Sequence, residues 1–76
     1  MKENANVKKS EKFKEIAERR TTRVLDAIRL LGQCSNPRTY DYTPQQVDKI
    51  FREIRRTLRE AELKFRKNEK KVQFRL

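Results

Sequence analysis

Residues 43–65 read TPQQVDKIFREIRRTLREAELKF. Val47, Ile50, Phe51, Ile54, Leu58, Ala61 and Phe65 recur at steps of three and four, which at about 100° per residue gathers them on one stripe of a helix. The same stretch marks where that helix begins. Thr43 is a good N-cap, Pro44 suits the first helical position because the amide it lacks has no partner there, and Gln46 stands where a capping box closes. Asp48 with Arg52, Arg56 with Glu60, Glu60 with Lys64 and Glu62 with Arg66 lie four apart and are expected to pair along the surface.

Upstream, Phe13, Ile16, Ala17, Val24, Ala27, Ile28 and Leu31 repeat the pattern and predict a first amphipathic helix from Glu11. Ser10 is its expected N-cap, and Glu11 and Glu15 favour the positive end of the helix dipole. Gly32 falls where a left-handed C-terminal residue is wanted, and Asn36-Pro37 reinforces the stop. The connection QCSNPRTYDY, residues 33–42, carries Tyr40 and Tyr42 at alternate positions, either as a cap over the helix ends or as platforms on which unpaired bases stack. Residues 1–10 show no apolar period and read as a flexible basic arm. In the basic tail 67–76, Val72, Phe74 and Leu76 alternate as a strand would, yet nothing there breaks a continuing helix.

The expected fold class is all-α: a helical hairpin of two amphipathic helices over residues 11–66. Two such helices bury one seam, and so small a seam seldom outweighs chain entropy without a metal, a disulfide or further subunits. Leu25 and Leu30 fall on opposite shoulders of the first helix's stripe and widen it beyond what one neighbour covers. A homodimer forming a four-helix bundle is therefore expected, with Leu25 and Leu30 in oligomer or partner contact. The alternative is a hairpin covered by its own loop tyrosines and tail. Arg20 projects into the same stripe between Ile16 and Val24, either as a stem whose head snorkels to water or a loop carboxylate such as Asp41, or as a partner-facing cation.

At 76 residues the chain holds at most one small domain. There is no His, which removes the usual base near neutral pH, the commonest zinc ligand and every Ser-His or Cys-His pairing. Cys34 is single, so neither an internal disulfide nor a CxxC metal site exists, and packing in the interhelical turn explains it better than an activated thiol. With Gly32 the sole glycine, no phosphate-cradling loop can be built. No apolar run approaches the roughly 18 residues that span a bilayer, and MKENANVKKSEK lacks the apolar stretch of a signal peptide. The carboxylates look like ordinary surface pairs. A non-enzymatic, cytoplasmic protein with no cofactor and no membrane partner is expected.

The positive surplus directs attention elsewhere. Twenty-one Lys and Arg stand against 11 Asp and Glu, a formal charge of +10, of which +3 falls in residues 44–66 and +3 in residues 67–76. Arg52, Arg55, Arg56, Arg59 and Arg66 fall within roughly 100° of the second helix, and Arg forks match phosphate oxygens in bidentate fashion. A solvated face is the plainer explanation, and Asp48 and Glu62 dilute the row. Read functionally, these arginines, with Lys8 and Lys9 in the arm and Lys67, Lys70 and Lys71 in the tail, form a nucleic-acid-binding surface for DNA or RNA.

The segments AIRLLGQCSN and YDYTPQQVDKIF, followed by a charged amphipathic helix, resemble a group of small bacterial proteins of phages, plasmids and conjugative elements over residues 19–65. The resemblance implies a cytoplasmic, mobile-element context and transfers no site residues. In architecture alone, a dimerising helical hairpin that reads nucleic acid with its helix faces is similar to the Rop-type plasmid RNA binders. The expected function is a module that grips the phosphate backbone. Its rival is a mobile-element protein inhibitor or adaptor, anti-CRISPR-like, docking on a nucleoprotein enzyme.

Overall fold

The computed structural model describes the backbone of residues 2–73 and the side chains of residues 8–68. The chain divides into two units, Met1–Tyr40 and Asp41–Leu76, each built on one long helix. Helix α1 spans Lys2–Gly32 and runs into a 3-10 turn at Gln33–Ser35, while α2 spans Pro44–Gln73. Among the described residues there is no strand, and the fold is all-helical.

In the first unit, α1 begins at Lys2, so the stretch read as a flexible arm is helical from there and Ser10 lies inside the helix instead of capping it. Neither Gly nor Pro interrupts Lys2–Leu31. Once a helix exists, each added residue gains a hydrogen bond for a small conformational cost, so a polar, aperiodic sequence extends it without difficulty. Within α1, the Thr22 hydroxyl donates to the Glu18 carbonyl at 2.9 Å, the back-bonding that lets a threonine sit mid-helix.

The other end of α1 also departs from expectation. Gly32 is right-handed, with φ −60° and ψ −27°, and no positive φ occurs among the described residues. The chain tightens into the 3-10 turn, which satisfies part of the helix's leftover carbonyls, and extends only at Asn36, with φ −71° and ψ 108°. Pro37 is the physical cause, since its ring excludes the helical region for the residue before it. Asn36 then organises the turn that follows. Its Oδ1 accepts the Arg38 amide at 3.0 Å, and its carbonyl accepts the amides of Thr39 at 3.2 Å and Tyr40 at 3.0 Å.

In the second unit, the expected capping box is present. The Gln46 amide donates to Thr43 Oγ1 at 3.1 Å, the Thr43 amide donates to Gln46 Oε1 at 2.9 Å, and the Val47 amide reaches the Thr43 carbonyl at 3.1 Å. From there α2 continues unbroken for 30 residues, about 45 Å at 1.5 Å per residue. Residues 67–73 are thus helical, and the strand-like alternation fails at Val72; Phe74 and Leu76 lie outside the described residues.

No described residue is buried. Ile16, Ala17 and Leu31 on α1 and Val47 and Ile54 on α2 are partly covered, whereas Val24, Ile28, Ile50, Phe51 and Leu58 on the same stripes are exposed. Both stripes exist as the periodicity requires, the one on α2 being the more sharply amphipathic.

Candidate nucleic-acid interface on the second helix

The Thr43 cap sets the register of α2, and helical geometry then assigns each side chain a place around the axis. Going around at about 100° per residue, Arg55, Arg66, Arg59, Arg52, Arg56, Lys49 and Lys67 share a sector of about 120°. All are exposed. Between residues 49 and 67 no acidic residue falls inside the sector: Glu62 borders it on one side, Glu60 and Glu53 on the other. Asp48 does project onto it, in the turn just before.

The bordering acids account for the ion pairs. Arg56 Nη1 lies 3.5 Å from Glu53 Oε2 and its Nε lies 4.0 Å from Glu60 Oε2, while Arg66 Nη2 lies 3.2 Å from Glu62 Oε2. These are water-exposed pairs of the kind that contribute little and exchange readily. The expected pairs Asp48 with Arg52 and Glu60 with Lys64 do not form, Glu60 standing nearer Arg56. Arg52, Arg55 and Arg59 make no ion pair or side-chain hydrogen bond among the described residues. Three guanidiniums with no ion pair among the described residues therefore follow one another along about 10 Å of helix.

The chain matches no family model, no curated protein and no solved structure.

Lys67 is exposed on α2; Lys70 and Lys71 continue its backbone, with side chains outside the described residues. Lys8 and Lys9 are exposed on α1. Leu25 and Leu30, at 46% and 62% exposure, stand open on the shoulders of the α1 stripe. Arg20 is exposed on the stripe itself and makes no ion pair or side-chain hydrogen bond among the described residues. Cys34 is a free, exposed thiol, and Tyr40 and Tyr42 are exposed. Among the described residues no group of acids, Cys or His is arranged to hold a metal, and no helix is long and apolar enough to cross a membrane.

Two members of the cationic sector were not picked out by sequence reading. Lys49 lies on its edge, and Leu63 lies within it, far from the apolar stripe and 52% exposed. The helical projection that locates the arginines locates both. Leu63 escapes notice because an isolated leucine in a charged helix looks like part of the ordinary apolar count.

Proposed function

We propose that the protein is a non-enzymatic nucleic-acid-binding module that grips the phosphate backbone through the cationic sector of α2, helped by Lys8, Lys9, Lys70 and Lys71. The observation that carries this reading is the sector itself, free of acids over residues 49–67 and holding Arg52, Arg55 and Arg59 without an ion pair or side-chain hydrogen bond among the described residues. Guanidinium forks on successive turns supply what phosphate oxygens require: fixed charge and paired donors. The sector lies about 150° around the helix from the apolar stripe, so covering the stripe leaves the cations open to a ligand.

That geometry supports the assembly as well. In this reading the stripes of α1 and α2 pack as a hairpin, two hairpins close a four-helix bundle, and Leu25 and Leu30 lie in the dimer contact. The protein acts in the cytoplasm, in the mobile-element context that the resemblance over residues 19–65 suggests. Binding is governed by shape and charge more than by base sequence.

The test is a titration of labelled DNA and RNA, duplex and single-stranded, from low to physiological salt. Affinity should fall steeply and log-linearly with salt as counterions are released. Absence of binding at low salt overturns the proposal. The exposure of Leu25 and Leu30 favours a second reading, an inhibitor or adaptor docking on a nucleoprotein enzyme. Capture of one stoichiometric protein partner after nuclease treatment, with no affinity for free nucleic acid, would select it.

A further inference from the structure

Resting on the nucleic-acid reading, we infer that the partner of the α2 sector is duplex DNA, with α2 lying in the major groove and Leu63 facing the base edges. The sector has three properties that discriminate among nucleic acids. First, it belongs to one unbroken helix, Pro44–Gln73, capped at its start by Thr43 and free of kinking residues after Pro44. An α-helix with its side chains is about 10–12 Å across, which the major groove of B-form DNA, about 12 Å wide, admits. The corresponding groove of A-form RNA is deep and narrow and does not.

Second, the sector contains no aromatic side chain. Phe51 and Phe65 lie on the apolar stripe and Tyr40 and Tyr42 lie before the helix. Single strands are held by aromatic platforms interleaved with cations, and here the cations come without platforms. Third, the sector is not uniformly charged. Leu63 sits inside it at 52% exposure, with Arg59 and Arg66 one turn away on one side and Lys67 one turn away on the other. A helix seated in the groove sends its flanking cations to the two phosphate walls and its central residue to the floor. The floor of an A·T-rich groove offers the thymine methyl, which takes an apolar contact. An exposed leucine between cations fits that floor and is wasted against a polyanion surface or bulk water.

The experiment uses the full chain and three probes of one A·T-rich sequence about two helical turns long: duplex DNA, duplex RNA and single-stranded DNA. Duplex DNA should bind at least about tenfold tighter than either alternative at equal salt. Replacing thymine by uracil throughout the DNA duplex, which deletes only the methyl groups, should weaken binding several-fold. The Leu63→Ala variant, checked for retained helicity by circular dichroism, should bind both duplexes alike. Replacing Arg52, Arg55 and Arg59 by Gln should lower affinity for every probe and flatten the log-log salt slope by about 3. Equal or tighter binding to RNA or single strands, or a uracil duplex that binds the native chain as well as the thymine duplex, overturns the groove assignment and leaves the phosphate-binding reading standing. Failure of all three probes at low salt removes that reading too.

Discussion

Thr43 and Gln46 hold each other's backbone: the hydroxyl of the first accepts the amide of the second at 3.1 Å, and the carboxamide of the second accepts the amide of the first at 2.9 Å. This reciprocal pair fixes where α2 starts and hence the angular position of every later side chain, Arg52 through Lys67 included. Two otherwise orphaned amides are satisfied by it. Thr43→Ala should destabilise α2 by about 1 kcal/mol. The expected readout is lower helical ellipticity with fraying confined to the first turns, measured by amide exchange at Gln46 and Val47. Unchanged protection there would show that the cap does not set the register.

The capping box was legible because its determinants are local. Thr43, Pro44 and Gln46 each act within one turn, and the apolar period that follows needs no tertiary information. The end of α1 was less legible for a matching reason. Gly32 permits a left-handed stop but does not demand one, whereas Pro37 forbids helix at Asn36; the prohibition decided the boundary and the permission did not. Ser10 is a good cap but not the start of α1, because nothing upstream of it opposes the helix, which begins at Lys2. The row of five arginines follows from helical spacing, and so do the Arg56–Glu60 and Arg66–Glu62 pairs; spacing alone does not decide the rest, because pairing depends on which rotamers meet, and Glu53 also approaches Arg56 while Asp48 and Arg52 do not pair.

Arg56 is the cation most constrained by its neighbours, so its carboxylates should act as a brake. Glu53→Gln with Glu60→Gln removes both partners and two negative charges from the sector's border. Affinity for nucleic acid should rise several-fold and the log-log salt slope steepen by about 0.9, the increment for one further cation engaged. An unchanged slope would mean that Arg56 does not face the ligand. Because these pairs are water-exposed, helicity should hardly move.

The exposure of Ile50, Phe51 and Leu58 along one stripe implies that α2 gains by covering it. Each such side chain is worth roughly 1.5–3 kcal/mol on full burial, far more than the surface ion pairs. Helicity and sedimentation mass should therefore rise together with concentration, and Ile54→Asp, placing a charge at the middle of the stripe, should abolish both effects. A chain equally helical at every concentration and monomeric by mass would refute the bundle.

Arg20 offers the converse experiment. It occupies the centre of the α1 stripe with no ion pair or side-chain hydrogen bond among the described residues, between apolar neighbours Ile16 and Val24. In a bundle, its stem can pack but its head must reach water, which holds the seam apart at that level. Arg20→Leu completes the stripe and should raise the melting temperature and tighten self-association, while Arg20→Ala, losing the charge without filling the seam, should do so less. Nucleic-acid affinity should stay close to that of the native chain, since Arg20 is not among the cations of the α2 sector. If Arg20→Leu instead weakens self-association, then Arg20 meets an acceptor in the partner, and the stripe is a polar recognition surface and not a simple apolar seam.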